Sequence, residues 1–171
     1  MHSTSGAGGN LSRPPEPYAA LKPLIREAVM LVERVHRRFL DAVRDELERL
    51  GRSEINAVQA LLLHNIGDAD LTAADLKSRG FYLGSNVSYN VKKLTEAGFL
   101  VHERCRLDRR AIRIRLTAAG AEIAAIVEGL YEKNTRTIGE VGGLGAGDLA
   151  TLSSALGRLD RYWDDQVRYR L

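Results

Sequence analysis

Two stretches of this 171-residue chain carry side chains able to engage a polyanion. The first, Leu83 to Leu100, reads LGSNVSYNVKKLTEAGFL. Hydroxyls, amides and a phenol (Ser85, Asn86, Ser88, Tyr89, Asn90) come first, and Lys92 and Lys93 follow a turn later. Asn, Ser and Tyr are middling or poor helix formers, so a merely solvated helix face would be better built from Glu and Lys. Amides and hydroxyls have another use, because they hydrogen-bond to base edges in the DNA major groove, while lysines and free helix N–H groups meet phosphates. The second stretch, RCRLDRRAIRI, sets Arg104, Arg106, Arg109 and Arg110 around Asp108. Guanidinium groups at a loop tip suit the negative potential of a narrow minor groove. Asp108 can orient one of them through a charge-assisted bond.

Other chemistries lack their residues. The single cysteine, Cys105, excludes an internal disulfide and a multi-cysteine zinc site. Arg104 and Arg106 beside it favour the thiolate, but it has no resolving partner and reads as a small packed hydrophobe on a strand. His36, His64 and His102 show no metal-ligand spacing. Trp163, with Tyr162 and Tyr169, reads as packing between subunits. No nucleophile elbow, phosphate loop or paired-carboxylate motif is visible, so neither an enzyme nor a cofactor is expected. No apolar run approaches the ~18–20 residues of a membrane span, and no signal-peptide core opens the chain. The expected compartment is the cytoplasm.

Charge is concentrated where the two stretches lie. Lys77 to Arg115 holds ten Lys/Arg against three acids, an excess of +7 on a chain whose total is +3. The remainder therefore sums to −4. A basic zone on a near-neutral protein is the footprint of a polyanion partner.

The elements that must hold these stretches follow from periodicity. Met1 to Pro17, rich in Gly, Ser and Pro, reads as a flexible arm. From Tyr18 to about Leu50, apolar residues from Leu21 to Leu47 recur at three- and four-residue steps, with Pro23 near the start and Gly51 as terminator. Such a helix spans roughly 45 Å and needs a second body to lean on. Ser53 is the expected cap of a second helix ended by Gly67, and Thr72 with Asp75 forms a capping-box-like start to a short helix ending at Gly80. Ser85 then caps the helix of the first stretch, with Val87, Val91 and Leu94 on its buried side, Ala97 flanking them, and Gly98 as its stop. Leu100–Cys105 and Ala111–Leu116 read as strands, the second alternating Ile112, Ile114 and Leu116 with Arg113 and Arg115. Thr117 caps a helix, GGLGAGD breaks it, and a last amphipathic helix follows. The order is a helix-turn-helix with a β-wing, flanked by helices with surplus apolar surface.

These residues carry a resemblance. NVSYNVKKLTEAGFLVHERCRLDRRAIRIRLTAAG resembles the winged helix-turn-helix core of the MarR-type transcriptional regulators. The similar features are the helix end Leu94–Gly98, the wing element Asp108–Arg109–Arg110, and the Leu116–Thr117–Ala118–Ala119–Gly120 exit into a helix. The turn RGFYLGSN departs from the family by being bulkier and more aromatic, which leaves open which residue first meets DNA. The phrase YLGSNVSYNVKKL is also similar to an alphaproteobacterial subgroup linked to cell-wall-remodelling genes. The resemblance implies a homodimer with interleaved terminal helices and a pocket for a small-molecule effector between those helices and the DNA-binding lobe.

The expected fold is mainly α with a small β-wing (α+β): a winged helix-turn-helix lobe plus a helical dimerisation domain drawn from both termini. Residues 1–17 form the arm, 18–52 the N-terminal dimerisation helix, 53–117 the DNA-binding lobe and 118–171 the C-terminal dimerisation helices. Ser85, Asn86, Ser88, Tyr89, Lys92, Lys93, Asp108, Arg109 and Arg110 are the expected contacts to double-stranded DNA. The output is expected to be repression, with activation left open. The competing reading is a winged-helix module that binds protein, whose affinity, unlike that for duplex, would not fall steeply with salt.

Overall fold

The computed structural model describes residues 18–69, 71–72, 75, 84–104 and 112–169. The chain divides into two compact units after Ala42. The arm, most of the helix expected between Thr72 and Gly80, and the wing tip lie outside the described residues; of the expected capping pair, Thr72 ends a short strand and Asp75 is helical.

Helix α1 (Tyr18–Arg49) is unbroken. Pro23 falls in its second turn, where its missing N–H removes only one bond, that to the Ala19 carbonyl. Along the first unit, Leu24, Ile25, Met30, Leu31, Val32 and Val35 stand exposed. Gly51, at φ +69°, takes the left-handed turn that ends the helix, and the Arg52 N–H donates to the Leu47 carbonyl at 2.9 Å.

The second unit holds the core. Helix α2 (Ala57–Ile66) buries Ala60, Leu61, Leu62, Leu63 and Ile66, so it is apolar on nearly every side and lies at the centre of its lobe. Its cap is Asn56, not Ser53. The Asn56 side chain accepts from the Gln59 N–H at 2.9 Å while the Gln59 side chain accepts from the Asn56 N–H at 3.2 Å. That reciprocal pair satisfies two N–H groups, which a serine three residues earlier has no partner to match. Gly67 closes the helix, as its position before a turn requires.

Helix α3 (Gly84–Glu96) begins one residue ahead of Ser85, which therefore sits in the first turn and does not cap it. Three strands follow the antiparallel order β1-β3-β2: β1 (Leu71–Thr72), β2 (Leu100–Arg104) and β3 (Ile112–Leu116). The sequence announced the β2–β3 hairpin, in which His102 faces Ile114. It did not announce β1, where Leu71 pairs with Ile114 from the other side. Helices α4 (Ala118–Gly142) and α5 (Ala146–Tyr169) complete the chain, separated by a break at Gly143, whose φ is +65°. Among the described residues, no helix is long and apolar enough to cross a membrane.

One backbone crossing joins these pieces. Gly98, at φ +81°, turns the chain out of α3, and the Phe99 N–H donates to the Leu94 carbonyl at 2.9 Å. The Phe99 carbonyl then accepts from the Thr117 N–H at 3.1 Å, and it lies so close to the Gly120 Cα that a Cβ there would collide with it. Thr117 caps α4 by accepting the Gly120 N–H at 3.1 Å. Behind the crossing, Ile123, Val127 and Leu130 bury the first half of α4 against α2. Gly120→Ala should destabilise the protein by about 1–3 kcal/mol despite alanine's better helix propensity, because the obstructing atom is backbone and cannot swing aside. Denaturant unfolding of the two proteins checks this, and an alanine variant as stable as the parent would contradict the tight crossing.

Candidate nucleic-acid interface

Helix α3 is held down by one side. Val91 and Leu94 are buried, as is Phe99 just beyond the helix, and Thr95 donates its hydroxyl to the Val91 carbonyl at 2.8 Å. The opposite side carries Ser88, Tyr89, Lys92 and Lys93, all exposed, with Tyr89 at 61 %. Asn90 is half-buried at the edge, and Ala97 is exposed in the turn. Ser85, Asn86 and Val87 belong to the helix by their backbone; their side chains lie outside what is described. A large, well-exposed phenol beside hydroxyls and two ammonium groups is a surface for hydrogen bonding and apolar contact, not for core packing.

The charges on this face are tethered lightly. Lys92 Nζ lies 3.8 Å from one Glu96 carboxylate oxygen and Lys93 Nζ 3.5 Å from the other. Lys93 Nζ also stands 6.0 Å from the centroid of the Tyr89 ring, at the outer range of a cation–π contact. Exposed pairs of this kind are worth ~0–1 kcal/mol, so a phosphate can displace Glu96 with little loss. Periodicity alone puts Lys92 and Glu96 on this face and Lys93 at its edge; it missed Glu96 as the common partner of the two lysines, although the three- and four-residue spacing was the available signal.

The wing is a regular hairpin at its base. Ile114 is buried, Leu116 half-buried and Arg115 exposed, so β3 presents its apolar side to the core. Arg115 Nη1 reaches Glu103 Oε2 at 3.4 Å across the hairpin. Cys105, Asp108, Arg109 and Arg110 lie outside the described residues.

Polar links tie α4 to the lobe. Arg52 bridges Glu54 at 2.6 Å and Glu122 at 3.4 Å. His64 Nε2 lies 2.8 Å from Glu128 Oε2, and its ring centroid is 5.2 Å from that of Tyr131. Burial first, and then the Glu128 charge, push the Tyr131 phenol above its ordinary range. His64 thus links α2 to α4. Past Leu130, no residue of α4 or α5 is buried, and α5 shows Leu152, Leu156, Tyr162, Trp163, Val167 and Tyr169 at its surface. The Tyr162 and Trp163 rings meet edge-on at 5.4 Å.

Known proteins share both the sequence and the fold. Residues 53–111 match the sequence profile of the MarR family. The chain is 34% identical over 143 residues to the exopolysaccharide II synthesis transcriptional activator ExpG of Rhizobium meliloti (strain 1021), covering 84% of this chain and 73% of that protein. The relative's name speaks of activation and exopolysaccharide, where the sequence led us to expect repression and cell-wall-remodelling genes. The fold is similar to that of Streptococcus pneumoniae FabT, crystallised in complex with DNA (TM-score 0.64, 18% identity, 82% of this chain and 98% of that one). It is also similar to a MarR family regulator from Listeria monocytogenes complexed with 26mer DNA (TM-score 0.69, 14% identity, 82% and 91%). At these identities the structural likeness speaks for the fold, and the relative at 34% for the family. With a winged-helix lobe, a polar and cationic helix face and this relative in hand, the chain belongs to the MarR family of DNA-binding transcriptional regulators and is not an enzyme.

Proposed function

We propose that the protein acts as a homodimer that reads a specific operator by laying the N-terminal half of α3 in the major groove. The observation that carries this reading is the exposed row Ser88, Tyr89, Lys92 and Lys93 opposite the buried Val91 and Leu94. Ser88, Tyr89 and Asn86 face base edges and the thymine methyl, and Lys92 and Lys93, with Ser85 at the helix start, engage phosphates. Asp108, Arg109 and Arg110 at the wing tip reach the flanking minor groove, with Asp108 orienting an arginine.

The dimer is supported by two exposed apolar surfaces, one along α1 and one along α5, each too extensive for a solvated face. The output we propose is activation, on the strength of the ExpG relative. A small-molecule effector rests on the family resemblance alone. The protein works in the cytoplasm, where the DNA is.

Three outcomes follow from this reading. Ser88→Ala, Tyr89→Ala or Asn86→Ala should reduce discrimination between operator and random duplex by roughly 1–3 kcal/mol where a good base contact is lost. Lys92→Ala or Lys93→Ala should weaken binding to every sequence and flatten the salt slope by roughly one unit. Glu96→Gln should do the reverse and tighten binding to any duplex by roughly two- to fivefold, the scale of an exposed ion pair. Duplex titrations at several salt concentrations separate these classes, and unchanged discrimination in all three of the first set would move the reading face elsewhere.

Arg109→Ala combined with Arg110→Ala should lower affinity most at operators with A·T-rich flanks and leave the thermal midpoint unchanged. A double variant that binds like the parent would remove the wing from the mechanism. In sedimentation at micromolar concentration the protein should run as a dimer, and Trp163→Glu with Leu156→Glu should drive it to monomer. A parent that sediments as a monomer would overturn the assembly.

A further inference from the structure

Apolar packing explains why α3 stays on the lobe, but not why it points in one direction. Val91 and Leu94 contribute a non-directional attraction that tolerates rocking of the helix about its buried edge. A reading helix needs its tilt fixed, because hydrogen bonds to base edges weaken steeply with misalignment. Beside the backbone bonds of the crossing, the structure offers a directional side-chain contact at the end of this helix, away from the DNA-reading face.

We propose that Thr117 is a positioning residue for DNA readout, its hydroxyl fixing the C-terminal end of α3 to the N-terminal end of α4. The Thr117 Oγ donates to the Gly98 carbonyl at 2.7 Å and accepts from the Gly120 N–H at 3.1 Å. A hydroxyl has one proton to give and lone pairs to receive, so both bonds form at once. The donor half is directed at a carbonyl of the turn that terminates α3, and the acceptor half at one of the free N–H groups that open α4. The acceptor half also places the hydroxyl oxygen's negative end at the positive end of α4, the favourable sense there. The neighbouring Thr117 N–H to Phe99 carbonyl bond holds the same two segments in register, and glycine at 120 lets them approach. Since α4 is bound to α2 through buried apolar residues and the His64–Glu128 contact, α3 is thereby referenced to the rigid part of the lobe.

The inference rests on the assignment of α3 as the reading helix, and the test keeps the two apart. Four full-length variants are compared with the parent: Thr117→Ser, Thr117→Val, Thr117→Asp and Ser88→Ala. Serine keeps both bonds and valine removes both. Ionised aspartate still caps α4 by accepting the Gly120 N–H but has no proton for the Gly98 carbonyl. The readouts are the thermal midpoint and the ratio of affinities for a duplex selected by the parent from a random pool and for a scrambled duplex. That ratio cancels the uniform effect of the added negative charge.

We expect Thr117→Ser to match the parent. Thr117→Asp should keep a near-parental midpoint yet lose about three- to tenfold in the ratio, the scale of one hydrogen bond. Thr117→Val should lose the same in the ratio and melt lower. An aspartate variant with the parental ratio would make Thr117 a cap only and overturn the proposal, provided Ser88→Ala lowers the ratio in the same assay. If Ser88→Ala also leaves it unchanged, Tyr89→Ala and Asn86→Ala take its place as the control, and when all three leave the ratio unchanged the assignment of α3 falls, and the proposal with it. Should the aspartate variant melt too low for binding work, the valine variant measured well below its own midpoint decides, an unchanged ratio again overturning the proposal.

Discussion

The close crossing of the Phe99 backbone against Gly120 is the constraint on which the rest of the lobe depends. Phe99 leaves α3 and leads straight into β2, while Thr117 leaves β3 and leads straight into α4. One point of contact therefore sets the end of the helix, the base of the wing and the start of the long helix that follows. Each local feature around it serves that approach. Gly98 supplies the left-handed turn, Gly120 supplies the missing Cβ, and Thr117 supplies both a cap and a tie. A side chain at residue 120 would separate the two backbones, and the wing and α3 would lose their common reference.

What the crossing positions is a surface whose forces are deliberately weak within the free protein. Lys92 and Lys93 share Glu96, and Tyr89 stands in solvent with Lys93 near its ring. Each of these contacts is of the order of 1 kcal/mol or less. On the proposed reading, binding to DNA exchanges them for phosphate contacts with release of counterions, a larger and salt-dependent gain. In that proposal the local excess of +7 supplies attraction to any duplex, and the small polar side chains ahead of the lysines supply the means to choose among duplexes. Rigidity behind a lightly tethered face is what such a division of labour requires, and the buried faces of α2 and α4 provide it.

The parts of this architecture legible in the sequence are those with a period. Leu21 to Leu47 marked α1, Val91 and Leu94 marked the buried side of α3, and the Ile–Arg alternation marked β3. Glycines at 51, 67 and 98 marked helix ends, because positive φ excludes most other residues there. The failures have equally physical causes. Strand β1 has two residues, too few for alternation, and exists because β3 has a free edge to pair. Ser53 looked like a cap by type alone, whereas Asn56 has a glutamine three residues on to complete the exchange. In the site, periodicity located Ser88, Tyr89, Lys92 and Glu96 on one exposed side with Lys93 at its edge, but was silent on the pairing of both lysines with Glu96. Thr117 was legible as a helix cap. Its second bond, to Gly98, joins residues 19 apart in sequence, and no local pattern records it.

The central claim is that two copies of α3 enter two successive major grooves on one face of the duplex. Guanine N7 methylation interference on a duplex selected from a random pool tests it most directly, since N7 lies in the major groove and marks base-edge contact. The account predicts two symmetric clusters of interference centred about 10–10.5 base pairs apart, or a multiple of that spacing. A single cluster, or binding indifferent to N7 methylation throughout the site, would contradict it.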